Sequence, residues 1–249
     1  MVQRETKIID AYHGVWVFAE QHAGNIKTSA YELLGKGREI ADTLKTDLCS
    51  VCFGDNVADI NHLIAAGADT VYIINDPAFR DNNEDLLTAA LVRLVRQYKP
   101  EIILAGATVL GRSFVPRVAA ALKTGLSADG TGLEIDPEKG WLLQTKPAFG
   151  GNIMAVIICP DRRPQMATIR PRVFKPRTFD DTRKGTIINV DFKKESVTSK
   201  TRLQSFIDDI TDTVKIEDAN IIVAGGRGLG KADNFRMIEE VAKVMGGAV

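Results

Sequence analysis

Four short apolar runs, each followed by a longer stretch with helical spacing, constrain this chain more than any other feature. The runs are Gly14-Val-Trp-Val-Phe-Ala-Glu20, Leu48-Cys-Ser-Val-Cys-Phe53, Thr70-Val-Tyr-Ile-Ile74 and Glu101-Ile-Ile-Leu-Ala-Gly106. Each reads as a buried strand. The stretches between them read as helices over residues 28–46, 59–66, 83–98 and 113–123. Ser29 stands as the N-cap of the first, with Glu32 three residues on. Gly67 ends the second and Pro100 stops the third. Strands alternating with helices of this length form βαβ crossovers, and such crossovers build a parallel sheet.

The texture changes from Ser127. Turn signals crowd together at Asp129-Gly130, Glu138-Lys-Gly140 and Gly150-Gly151, and the apolar runs shorten to residues 141–143, 153–158 and 165–169. Hairpins added to the edge of the sheet are the simplest reading, so the expected sheet is mixed but mainly parallel. Residues 175–200 are rich in charge, Ser and Thr and read as a linker or crossing segment with one strand-like stretch, residues 187–190. A new α/β unit then opens, with a helix over 202–209, a strand over 220–224 and a helix over 234–245. The expected domains are residues 1–200 and residues 201–249. One strand and two helices do not close a sheet, so the second is read as the opening fragment of a larger domain.

Composition excludes several classes of function. Lys+Arg is 32 and Asp+Glu is 32, a balance that argues against nucleic-acid or membrane-surface binding. No run of eighteen apolar residues suggests membrane insertion. Three cysteines do not make a secreted disulfide framework. The first ten residues carry no apolar leader core. A cytoplasmic protein is expected.

The clearest chemical signal is Gly225-Gly-Arg-Gly-Leu-Gly230, set between the expected strand and helix. Gly226 and Gly228 let backbone approach a ligand closely, and Arg227 adds a fixed positive charge with a planar fork for phosphate or a flat face for a ring. The spacing is neither the dinucleotide fingerprint nor a Walker A loop. The alternative is a tight strand-to-helix turn with an exposed Arg. Gly106-Ala-Thr-Val-Leu-Gly-Arg112 also follows a strand, at the sheet edge where ligands bind; its alternative is a plain connection. Cys49 and Cys52 have redox spacing, but inside a strand positions three apart face opposite ways, so they read as core. His13, His22 and His62 are scattered, and no carboxylates pair. No catalytic or metal-ligating set is expected. Six basic residues between Arg162 and Arg177, with prolines at 160, 164, 171 and 176, read either as a positive lip or as a solvated edge hairpin.

Several of these segments together resemble the alpha subunit of the electron transfer flavoprotein. They are Gly106-Ala-Thr-Val-Leu-Gly-Arg112 with Pro116-Arg117, Thr124-Gly-Leu-Ser-Ala-Asp129, Pro147-Ala-Phe-Gly-Gly-Asn-Ile-Met154, Arg163-Pro-Gln-Met-Ala-Thr-Ile-Arg-Pro171, and Gly225-Gly-Arg-Gly-Leu229 with Asn234-Phe235. The resemblance implies a nucleotide-binding-like α/β domain for subunit contact, then a Rossmann-like domain that binds FAD. It implies a beta subunit as obligate partner and Arg227, Gly226 and Gly228 as cofactor-binding residues. It further implies electron transfer between an acyl-CoA dehydrogenase or reductase and another redox partner, in some anaerobes within a bifurcating system. Two departures stand out. The family's later FAD motifs lie beyond Val249, and Lys146 stands where the family often has Arg, which loses the bidentate fork. The alternatives are an adenine-nucleotide-binding hydrolase or ligase domain and a purely structural docking module. An electron carrier needs no acid–base residues; it holds a cofactor and tunes its potential.

Overall fold

The computed structural model describes residues 9, 11–192, 197, 199–201, 203–205, 216 and 219–249. The chain divides into two units, Met1–Leu203 and Gln204–Val249.

The first unit is built on a seven-stranded sheet. The strands are β1 (Val15–Phe18), β4 (Leu48–Gly54), β5 (Thr70–Asn75), β6 (Ile102–Gly106), β7 (Leu126–Gly130), β11 (Gln165–Ile169) and β12 (Thr186–Asn189). Their order is β12-β5-β4-β1-β6-β11-β7, and every pair is parallel. Helices α1 (Thr28–Leu44), α2 (Ile60–Ala65), α3 (Glu84–Tyr98) and α4 (Val109–Leu122) cover its faces. Alternation along the buried strands feeds two cores. Val15, Val17, Leu48 and Cys52 join Leu33, Leu34 and Leu63 on one side. Trp16, Phe18, Cys49, Val51 and Phe53 join Leu87, Leu91 and Phe114 on the other. The second core is aromatic, with Phe18 and Phe114 ring centroids 4.8 Å apart and Phe53 and Phe79 at 5.5 Å.

The antiparallel pairs are kept out of this sheet. Strands β8 (Gly132–Ile135), β9 (Leu142–Ala148) and β10 (Ile153–Ile157) form a three-stranded sheet in the order β10-β9-β8. β2 (Gln21–His22) and β3 (Asn25–Ile26) make a two-residue ladder after β1. Gln144 Nε2 donates to Thr168 O at 3.1 Å, and Gln165 Oε1 accepts from Leu142 N at 2.9 Å, so the small sheet is tied to β11.

Several expectations are corrected. Residues 165–169 form no edge hairpin; β11 inserts in parallel between β6 and β7, and its flanking Pro164 and Pro171 lie outside the ladder, where a missing N–H costs nothing. The strand-like stretch in the expected linker is β12, the edge strand beside β5. Helix α4 begins at Val109 rather than Ser113, because Thr108 accepts the Gly111 N–H at 3.0 Å and caps it there. Ser29 caps nothing: Lys27 holds that position without a side-chain bond, and Ser29 is buried one residue inside α1. Glu32 forms no capping box. Its Oε2 accepts the Arg172 N–H at 2.7 Å, pinning the crossing segment to α1, and burial pushes its carboxyl up. The six basic residues between 162 and 177 do not sit on a hairpin, although all but Arg163 are exposed. Arg163 Nη1 donates to the carbonyls of Cys159, Pro160 and Arg162, and Arg170 pairs with Asp129.

In the second unit, α5 (Phe235–Met245) matches the expected helix. The expected strand over 220–224 is reduced to one parallel bridge, Ile222 to Ala248, since a strand exists only through its ladder and among the described residues Ala248 alone pairs there. Of the helix expected over 202–209, residues 203–205 are irregular and the remainder lies outside the described residues.

Candidate cofactor site

In the first unit the chain builds outward from β1 through β4 and β5, then returns to β6 on the other side. Ligands of open parallel sheets sit outside the carboxyl ends at such a reversal, here between β1 and β6. That position is filled by the chain itself. Glu20, two residues past β1 and 6% exposed, accepts a hydrogen bond from Thr108 Oγ1 at 2.5 Å, with Lys27 Nζ at 3.8 Å. A Cβ on Gly111 would lie 1.9 Å from the Gly106 carbonyl oxygen, so α4 sits directly on the end of β6. Residues 21–26 form a tiny hairpin whose turn, Ala23 and Gly24, has left-handed backbone. A carboxylate where a phosphate would bind, with no loop of converging N–H groups beside it, does not suit an adenine-nucleotide hydrolase or ligase.

The stretch from Gly106 to Arg112 therefore serves the fold as the first turn of α4, and its Arg reaches a different group. Arg112 Nη2 and Arg170 Nη2 each donate to Asp129 at 2.8 Å, one to each carboxylate oxygen. Arg170, then Arg112 and nearby Lys146, hold the Asp129 carboxyl below the usual range.

The glycine loop of the second unit is different in kind. It runs from the Ile222 bridge through one turn of 3-10 helix, Arg227–Leu229, closed by Leu229 N–H to Gly226 O at 3.0 Å and Gly230 N–H to Arg227 O at 3.1 Å. Asn234 Nδ2 donates to Leu229 O at 2.7 Å and ties the loop to the start of α5. Its glycines have separate reasons. On Gly225 a Cβ would meet Leu229 Cδ1 at 2.4 Å and Ile238 Cγ1 at 3.1 Å, so a side chain there would push the Leu229 tip aside. Gly230 has φ +76°, a backbone that favours glycine. Gly226 and Gly228 face open space, with nothing within 4 Å of an added Cβ. The chain's own packing does not require glycine at these two positions. The Arg227 residue is exposed, and its guanidinium has no hydrogen-bond or ion-pair partner among the described residues. The loop is thus a bare backbone cradle with an unengaged guanidinium, a donor set that suits an anionic, planar cofactor.

The other expected side chains fall where strand geometry puts them. Cys52 belongs to one core and Cys49 to the other, and burial pushes both thiols up to about 12, which leaves them inert. His13 and His22 are exposed, while His62 stacks on Phe179 at 5.2 Å. Among the described residues no group of His, Cys, Asp and Glu stands ready to hold a metal ion, and no helix is long and apolar enough to cross a membrane. Sequence reasoning missed Glu20 and Asp129, each joined to its partners across long sequence separations.

A parallel α/β unit followed by an open cationic glycine loop fits the class of proteins that carry a nucleotide cofactor. Comparison with known proteins makes this particular. Residues 15–195 match the electron transfer flavoprotein domain, and residues 215–249 match the electron transfer flavoprotein FAD-binding domain. The electron transfer flavoprotein subunit alpha of Thermoanaerobacterium thermosaccharolyticum is 46% identical over 239 residues, covering 96% of this chain and 72% of that protein. Protein FixB of Clostridium saccharobutylicum is 44% identical over 238 residues, covering 96% and 71%. The electron transfer flavoprotein subunit alpha of Megasphaera elsdenii is 42% identical over 244 residues, again covering 96% and 71%. The chain belongs to the electron transfer flavoprotein alpha subunit/FixB family. Its role is electron transfer and its cofactor is FAD.

Proposed function

We propose that this chain is the FAD-carrying subunit of a heterodimer, in which Gly226, Arg227 and Gly228 contact the flavin cofactor. Its partner is a beta subunit, and electrons pass between an acyl-CoA dehydrogenase-type protein and a second redox partner in the cytoplasm. The observation that carries this reading is the open loop, where two glycines that the fold does not need flank an unpaired guanidinium within the segment matching the FAD-binding domain. When bound, FAD supplies the electron-accepting and electron-donating chemistry. The chain's contribution is to bind it, to place positive charge beside it, and to keep acid–base groups away. Positive charge near the cofactor favours its reduced, anionic form.

The reading is tested on the complete heterodimer. Arg227→Ala should weaken FAD binding about tenfold or more, as expected for the loss of a hydrogen bond to a charged group, or lower the midpoint potential. Unchanged affinity together with an unchanged potential removes Arg227 from the site. A wild-type heterodimer that takes up no FAD refutes the whole reading. Measuring one or two FAD per heterodimer separates a simple carrier from a bifurcating one.

A further inference from the structure

Asn83 serves two parts of the chain with the two halves of one amide. Its Oδ1 accepts the Asp85 and Leu86 N–H groups at 3.1 and 3.2 Å and caps α3. Its Nδ2 donates to Ser199 Oγ at 2.9 Å and to Thr201 O at 3.2 Å. Asp85 divides in the same manner. Oδ1 accepts from Arg117 Nη1 of α4 at 3.1 Å, and Oδ2 accepts the Lys200 N–H at 2.9 Å. Ser199 Oγ lies 3.1 Å from that same Oδ2 and accepts the Thr201 N–H at 3.2 Å. Residues 199–201 are thus fastened to the start of α3, with Lys200 bonded to a side chain 115 positions away.

The fastening has a definite place along the chain. The crossing segment leaves the sheet at β12, where the Val190 N–H donates to Ile73 O at 2.8 Å, and the Phe192 ring packs 5.1 Å from that of Phe79. After Phe192, the next hydrogen bonds to the body of the first unit among the described residues are those of residues 199–201. Residues 203–205 are exposed and irregular, and the boundary between the units falls between Leu203 and Gln204. Ser199, Lys200 and Thr201 belong to neither apolar core, so their bonds can open without unpacking one.

We propose that Asn83 and Asp85 form a releasable post that sets the length of the connection between the two units. Fastened, the connection starts at Thr201; released, it starts at Phe192, nine positions earlier. Nine residues add at most roughly 30 Å of reach, about the diameter of a small domain. The proposal goes beyond the cofactor assignment and does not depend on it.

Hydrogen exchange on the full chain, read at single amides, tests it. In the wild type the Lys200 and Thr201 amides, both donors in the fastening, should exchange about tenfold or more slowly than the exposed Gln204 and Ser205 amides. Asn83→Asp keeps an oxygen to cap α3 but loses the amide donor. It should bring Lys200 and Thr201 to within about threefold of Gln204 and Ser205, with Val190 still protected and the melting temperature within about 2 °C of wild type. Ser199→Asp sets a second carboxylate against Asp85, alters no helix, and should release the same amides. Released variants should also show a larger maximum dimension in small-angle scattering, by up to roughly 30 Å. Wild-type Lys200 and Thr201 amides that exchange as fast as Gln204 and Ser205 overturn the proposal, as does protection that survives in both variants. Loss of protection at Val190 together with the other two also overturns it, because the segment then detaches with the sheet edge rather than at a post. Released amides with unchanged dimensions overturn the control of reach. Should Asn83→Asp lower the melting temperature further, Ser199→Asp decides on the same readouts.

Discussion

Replacing Asp69 with Asn removes a charge that three parts of the first unit share. Asp69 stands just ahead of β5. It accepts the Leu48 N–H at 2.8 Å from the start of β4, Arg38 Nη1 at 2.7 Å from α1, and Arg183 Nη2 from the segment entering β12. Burial alone would raise its carboxyl, but the Leu48 amide, then Arg38 and Arg183, outweigh that and hold it below the ordinary range. The Arg38 side chain is only 9% exposed, whereas Asp69 is 32% exposed. Breaking a fully buried pair costs about 3–5 kcal/mol. Water at Asp69 screens part of this, and Arg38 keeps Asp42 at 2.8 Å, so we expect about 2 kcal/mol. At roughly 2–4 °C per kcal/mol for a chain of this size, the melting temperature should fall by about 4–8 °C. The pH dependence has a definite sign. A carboxyl whose pKa is lowered by folding stabilises fully above its unfolded value, about 3.9, and loses that contribution as pH falls through the folded value. Denaturant unfolding of both proteins between pH 3 and 7 should therefore show a constant deficit above about pH 5 that shrinks below about pH 4. A deficit under about 0.5 kcal/mol, the size of an ordinary surface change, or one that widens on acidification, would refute the reasoning.

Three further outcomes follow from the glycines and thiols. Gly111→Ala should cost about 3 kcal/mol or more in chemical denaturation, because the new methyl meets a backbone carbonyl rather than a movable side chain; a loss under about 1 kcal/mol contradicts the close approach of α4 to β6. Gly226→Ala should leave the melting temperature within about 1 °C, since its surroundings are open and its φ of −131° suits any residue, yet weaken FAD binding in the heterodimer; unaltered affinity removes Gly226 from the cofactor site. In the folded protein a thiol reagent at pH 8 should label Cys159 while Cys49 and Cys52 stay unmodified, because burial keeps both thiols protonated; rapid labelling of either core cysteine refutes this.

Much of the first unit was legible because its strands are buried on both faces and its helices end at strong signals. Asn83 caps α3 by accepting the Asp85 and Leu86 N–H groups, and that helix begins and ends where spacing and Pro100 place it. Cys49 and Cys52 were legible for a related reason, since the two-residue period of a strand sends them to opposite cores whatever the topology. The glycine loop was visible as a motif, but spacing alone did not separate Gly225, which lies against Leu229 and Ile238, from Gly226 and Gly228, which face open space. That distinction depends on where Leu229 and Ile238 come to lie.

Local spacing thus determined the strand–helix alternation, the burial of the cysteines and the position of an open cationic loop, because each arises from interactions within a few residues. Tertiary structure alone decided that β11 enters the sheet between β6 and β7, that Glu32 holds Arg172 140 positions away rather than capping its own helix, and that Glu20 closes the reversal point of the sheet. A strand or a carboxylate specifies what kind of partner it needs, an open ladder or an N–H. Which partner it meets depends on how the whole chain crosses itself.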